Sequence, residues 1–261
     1  MKLDDAYANG AYISGAADYP PRWAAAAQAF RDALGDRAQI GLRYGPGARE
    51  VFDLFKPAGP AQGTVVFVHG GYWKAFDRST WSHLAAGAIA RGWAVAMPSY
   101  DLCPDIHISG ITRQIADAVQ AIALQTQGPL ALTGHSAGGH LVARMLDPAL
   151  LPDEVGARIR TVVPISPLSD LRPLLQTEMN EAFQMDMAEA IAESPILMTD
   201  RRSARVTVWV GGDERPALLD QAQWLADAWD AAQVVVPGKH HFDVIDALED
   251  PAGDLVQVLT G

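Results

Sequence analysis

The sequence holds a single cysteine, Cys103, so no disulfide can close within the chain. It has no surplus of positive charge either. Lys and Arg number 20 against 31 Asp and Glu, for a formal net charge of −11. That balance leaves no broad basic footprint for nucleic acid and no polybasic patch for a membrane surface. No apolar run reaches the roughly 18 residues that a membrane-spanning helix needs. The first residues, through Tyr12, carry Asp4 and Asp5 and lack the apolar stretch of a secretory signal. These absences lead to the expectation of a cytoplasmic chain. An H-E-x-x-H pattern and paired C-x-x-C motifs are missing too, so no metal site is expected. Neither an internal repeat nor a low-complexity linker interrupts the sequence.

What the sequence does contain is a large apolar fraction, 49% against 20% charged, over 261 residues. That is enough chain to bury a sizeable core as one domain. Short apolar runs alternate with helical patterns, the signature of a mostly parallel sheet covered on both faces. Strands are predicted at Thr64–Val68, Trp93–Met97, Leu130–Thr133, Thr161–Ile165, Val206–Val210 and Gln233–Val236. Ala38–Arg43 and Glu50–Phe55 are candidate edge strands before them. Helices are predicted over Arg22–Leu34, Thr80–Arg91 with Ser79 as its cap, Ile111–Leu124, Gly139–Leu146 and Ala217–Trp229. The whole is a single α/β domain, 1–261, with a central sheet of about eight strands. Asp170–Pro195 breaks the rhythm with two helical pieces, Leu171–Thr177 and Asn180–Glu193. Such an insertion after a strand is expected as a small helical cap above the carboxyl ends of the sheet, where ligands bind. Ala182, Phe183, Met185 and Met187 would supply its apolar lining.

The strongest chemical signal is Gly134-His135-Ser136-Ala137-Gly138, a G-x-S-x-G pattern between a predicted strand and a predicted helix. A strand-to-helix turn this sharp has no room for side chains at its flanks. The strain lifts the serine hydroxyl into a site at the helix N-terminus. Ser136 is therefore the candidate nucleophile. His69-Gly70-Gly71-Tyr72-Trp73 follows an earlier strand. Its glycines allow close approach to a substrate, and the backbone N–H groups of Gly71 and Tyr72, with that of Ala137, are the candidate oxyanion hole. Tyr72, Trp73 and Tyr100 are expected as aromatic walls for a substrate ring.

A serine nucleophile needs a base, and the base needs an orienting acid. His240 and His241 both follow the last predicted strand, and either ring could serve. For the acid, Asp213 of Gly211-Gly212-Asp213-Glu214 is preferred to Glu214 because it follows the glycine pair immediately. Asp243 and Asp246 stand on the wrong side of the histidine pair. His135, His140 and His69 are expected to pack or to orient loops, and Cys103 has no base within sequence reach.

Together, HGGYW, GHSAGGH, GGDE and HHFD resemble the kynurenine formamidase (arylformamidase) and esterase branch of the α/β-hydrolases. Ser99–Pro104, Ser169–Leu174, Glu193–Pro195 and the stretch from Tyr7 to Trp23 are similar to that branch as well. The resemblance implies an α/β-hydrolase fold, no cofactor, and a triad of Ser136, Asp213 and His241. The choice of His241 comes from the phenylalanine that follows it, Phe242. Its implied reaction is hydrolysis of an aryl formamide or a small ester, so the expected partner is a small-molecule substrate. A non-catalytic binding protein on the same scaffold is the alternative from another class.

Overall fold

The computed structural model describes residues 3–261. Its centre is an eight-stranded sheet in the order β1-β2-β4-β3-β5-β6-β7-β8. The strands are β1 (Ala38–Arg43), β2 (Val51–Phe55), β3 (Thr64–Val68), β4 (Ala94–Pro98), β5 (Leu130–His135), β6 (Ile159–Ile165), β7 (Arg205–Gly211) and β8 (Ala232–Val236). β1 and β2 run antiparallel at one edge, and every pairing from β4 through β8 is parallel. Helices cover it: α1 (Tyr19–Leu34), α2 (Ala86–Ala90), α3 (Ile108–Gln125), α4 (Ala137–Arg144), α5 (Asp153–Gly156), α6 (Asn180–Phe183), α7 (Met187–Ala192), α8 (Pro216–Trp229) and α9 (Asp254–Thr260).

Strand alternation feeds two apolar cores, one on each face. Val66, Val68, Leu130 and Leu132 point into one, while Val65, Phe67 and Ala131 point into the other. Because both faces are covered, β3, β4 and β5 are buried along their whole length, which is why they read as mostly apolar runs without polar alternation. Each fully buried aliphatic side chain contributes about 1.5–3 kcal/mol over an exposed one. α3 buries Ile111, Ile115, Ala118 and Ile122 along a single stripe.

Three predicted helical stretches come out differently, one of them, Leu171–Thr177, as a 3-10 helix over Arg172–Gln176. Over Arg78–Ala85 the chain forms 3-10 turns, with only Ala86–Ala90 as α-helix, and the cap is the carboxylate of Asp77, which accepts from Ser79 N. Asn180–Glu193 is broken into α6 and α7 at Gln184, which is left-handed (φ 51°). The Asn180 side chain closes that break by bonding both N and O of Met185.

The parallel register brings the chemistry together. Val68 pairs with Gly134, His135 with Ile165, and Gly211 with Val236. The loops that leave β3, β5, β6, β7 and β8 therefore all emerge at one carboxyl edge of the sheet, where open α/β sheets place their ligands. Among the described residues, no helix is long and apolar enough to cross a membrane.

Candidate active site

Ser136 stands between β5 and α4 with φ 57° and ψ −117°, a conformation that L-residues adopt only under constraint. Two backbone hydrogen bonds hold it: Ser136 N donates to Ile165 O at 2.8 Å, and His140 N donates to Ser136 O at 3.1 Å. The flanking glycines are sterically required. A Cβ on Gly138 would collide with the carbonyl of Val68, so β3 and α4 touch only because this position has no side chain. Ala137 opens α4, and its N–H has no acceptor inside the helix.

The loop after β3 is just as tightly built. Gly71 has φ 106°, and a Cβ there would meet Ala75 O at 2.6 Å. Tyr72 and Trp73 follow with φ 49° and 53°, and Lys74 N closes the turn on Gly71 O at 3.0 Å. His69 stacks on Tyr100 at 4.3 Å, and the Tyr100 hydroxyl donates to His69 O at 2.9 Å. Both side chains thus brace the loop from below.

His241 is 4% exposed, and its Nδ1 lies 2.6 Å from Glu214 Oε2. The other carboxylate oxygen of Glu214 accepts from Gly211 N at 2.9 Å and from the Ser166 hydroxyl. Burial alone would raise the Glu214 carboxyl. The adjacent His241 charge and the three donors outweigh it and hold the group below its ordinary value of 4.5.

This overturns the choice of Asp213. The turn that ends β7 runs from Gly211 to Glu214, with Glu214 N donating to Gly211 O at 3.3 Å. It turns Asp213 outward, where the side chain is exposed, and carries Glu214 back beneath the strand end. The extra methylene of glutamate then spans the gap to the ring.

His240 faces elsewhere. Its Nε2 meets the Tyr19 hydroxyl at 3.0 Å, and its backbone N donates to Asp243 Oδ1 at 2.7 Å. His135 packs its ring 4.5 Å from that of His241, and burial first, then the His241 charge, push it well below 6.5.

Ser136 and His241 both line a pocket of about 370 Å³. Tyr7, Trp23, Tyr72, Phe76, Trp81 and Phe242 supply its aromatic surface, and Lys74 is the one Lys, Arg, Asp or Glu in the lining. Of the expected aromatic walls, Tyr72 is there, whereas Trp73 and Tyr100 are fully buried beneath the loop and do not reach the pocket. The left-handed turn sends Trp73 inward, edge-on to His140 at 5.1 Å and to Phe183 at 5.5 Å. From the segment 170–195, Met179 alone reaches the pocket. Phe183 and Met185 join the core instead, and Met187 is exposed, so none of the four residues expected as lining serves as such.

The wall that sequence reasoning missed is the N-terminal segment, Tyr7 to Gly10. It is anchored far along the chain: Gln221 Nε2 donates to the Tyr7 hydroxyl at 3.0 Å, and Arg215 pairs with Asp5 at 2.9 Å. Only the resemblance of the stretch from Tyr7 to Trp23 pointed to it. Among the described residues, no three His, Cys, Asp or Glu side chains gather as a metal-ligand set.

A strained serine at the carboxyl edge of such a sheet, backed by a buried histidine–carboxylate pair, defines a class, and comparison with known proteins agrees. The chain belongs to the alpha/beta hydrolase fold family, whose model matches residues 65–245. Kynurenine formamidase of Salmo salar is 27% identical over 237 residues, 84% of this chain and 80% of that protein. That of Drosophila melanogaster is 29% identical over 232 residues, 80% of this chain and 77% of its own. A crystal structure from Silicibacter sp. tm1040, described as a candidate thioesterase, is 67% identical over the full length of both chains, with a TM-score of 0.99. An esterase from the archaeon Pyrobaculum calidifontis shares the fold at 17% identity, with a TM-score of 0.72 over 92% of this chain and 89% of its own.

Proposed function

We infer that this chain is a serine hydrolase that cleaves a small ester or aryl formamide through an acyl-enzyme. Ser136 is the nucleophile, His241 the base and Glu214 the acid that orients it. The observation that carries this reading is the junction of three features at one pocket: the strained Ser136, the buried His241–Glu214 pair, and the glycine loop of Gly71 and Tyr72.

Glu214 holds Nδ1–H, which leaves Nε2 as the ring nitrogen free to take the serine proton. Ser136 Oγ then bonds to the substrate carbonyl carbon. The negative charge that develops on the carbonyl oxygen is met by the backbone N–H groups of Gly71, Tyr72 and Ala137. One such donor is worth about 2.7–4 kcal/mol in a serine protease. The imidazolium, stabilised by the Glu214 carboxylate, returns its proton to the leaving nitrogen or oxygen. Water, activated by the same ring, releases the acid and restores the serine.

The pocket supports an aromatic leaving group. Its volume of about 370 Å³ and its six aromatic side chains suit one substituted ring. The formamidase relatives favour the formamide within the pair, and the esterase neighbours share only the fold. The test is kcat/KM for N-formyl-kynurenine and for a short p-nitrophenyl ester, with wild type and Ser136→Ala. Both activities should fall by several orders of magnitude in the variant. Retention of more than a tenth of wild-type kcat would remove Ser136 from the mechanism.

A further inference from the structure

We propose that Trp73 and His140 are positioning residues that set the width of the oxyanion hole. This rests on the serine-hydrolase reading above and adds the device that keeps the two halves of the hole in register. The halves come from different elements. Tyr72 N–H belongs to the loop after β3, and Ala137 N–H to the start of α4. The sheet joins these elements only as far as the pairing of Val68 with Gly134. Beyond it, among the described residues, no hydrogen bond runs directly from residues 70–74 to residues 136–140. Packing must therefore fix the gap. At its inner end a Cβ on Gly70 would come within 3.1 Å of Ser136 Cβ, so the loop backbone lies against the elbow. Farther out, the rings of Trp73 and His140, both fully buried, meet edge-on with centroids 5.1 Å apart at 85°.

Each ring sits next to one half of the hole. Trp73 directly follows Tyr72, and His140 N donates to Ser136 O at 3.1 Å, within the turn that begins at Ala137. The imidazole is itself held, because its Nε2 donates to Glu193 O at 2.8 Å. That bond leaves Nδ1 a bare acceptor, while the indole Nε1 is only a donor, and neither has a hydrogen-bond partner elsewhere. The two rings are thus complementary in kind. An oxyanion hole works only if its donors are fixed before the charge develops. A displacement of about 1 Å at such a site can cost about a hundredfold in rate. Opening the ring contact should therefore weaken binding of the transition state and spare binding of the substrate.

The experiment reads kcat and KM for a p-nitrophenyl ester, and the inhibition constant of phenyl trifluoromethyl ketone, whose adduct with Ser136 places an oxyanion in the hole. Trp73→Leu removes one ring. His140→Gln removes the other, and its amide can still donate toward Glu193 O. Each variant should lose kcat and ketone affinity in step, by about thirty- to a hundredfold, with KM within about threefold. Trp73→Phe keeps a ring against His140 and should recover to within about tenfold of wild type. The double variant should be within about threefold of the poorer single one, since either change already opens the contact. The proposal is overturned if both single variants keep kcat within about threefold, if their losses multiply in the double variant, or if kcat falls while ketone affinity holds. His140→Gln carries the test should Trp73→Leu fail to fold. Any of these results leaves the hydrolase reading standing so long as Ser136→Ala is inactive. Wild type that cleaves neither ester nor formamide and does not bind the ketone ends both.

Discussion

Acidification should unfold this chain through four buried histidines before most carboxylates titrate. His69, His83, His135 and His140 are each 5% exposed or less. Burial pushes His69 and His83 down to about 4, His140 to about 3, and His135 well below 6.5, so all four stay neutral in the folded chain below the pH at which a free imidazole charges. In the unfolded chain each binds a proton below about 6.5. The stability that depends on their neutrality is intact above that value and is lost as pH falls toward the folded values. His69, His83 and His140, three protons taken up only on unfolding, give a slope of about 4 kcal/mol per pH unit near pH 5, and His135 adds to it in the same sense. From pH 6 to 4 the loss is about 7 kcal/mol, a large share of the roughly 5–15 kcal/mol that holds a domain together. Burial raises the carboxyls of Asp117, Asp246 and Glu249, which act in the opposite sense, but from ordinary values of 3.8 and 4.5, at the acid end of this window. The assay is the urea midpoint at half-unit steps of pH. His140→Gln, whose amide can still donate toward Glu193 O, should reduce the slope by about 1.4 kcal/mol per pH unit near pH 5. A midpoint that stays flat between pH 6 and 4 would refute the reasoning.

Glu214→Gln should lower kcat by about 10³–10⁴, because the amide fixes the wrong tautomer of His241, while Asp213→Asn should change it only a few-fold. Steady-state rates of the two variants at saturating ester decide between them, and a dead Asp213→Asn would contradict the geometry. The folded Glu214 carboxyl lies below 4.5, so its ionisation contributes stability above that pH that is lost on descending through the folded value. Glu214→Gln should lack that component in the same urea series. His241→Asn should be inactive and His240→Asn active, since His240 bonds Tyr19 and Asp243 and does not line the pocket. The reverse result would move the base by one residue.

The parallel strands were legible because burial on both faces writes them as apolar runs, and Thr64–Val68 matches to the residue. The elbow was legible because its glycines are a steric necessity that no other residue satisfies. Arg78–Ala90 was not, since the balance between 3-10 and α-helix there is set by contacts distant in sequence: Gly87 sits against Leu248 O so closely that a Cβ would collide. Asp213 and Glu214 differ by one step around a turn, and apolar pattern carries no information on which of two adjacent carboxylates faces inward. Trp73 was misplaced for the same reason, because two consecutive left-handed residues reverse the side a ring points to. The wall formed by Tyr7 and Asn9 depends on contacts across most of the chain, to Tyr72 and Gln221, which local periodicity does not record.

The central claim is that Ser136 is the nucleophile, and covalent capture tests it most directly. Wild-type protein treated with an aryl phosphonate should lose esterase activity in step with a single adduct, which peptide mass spectrometry should locate on Ser136. Glu214→Gln should acquire the same adduct far more slowly. Inactivation that proceeds with the adduct on any other residue, or an adduct on Ser136 that leaves turnover intact, would contradict the account.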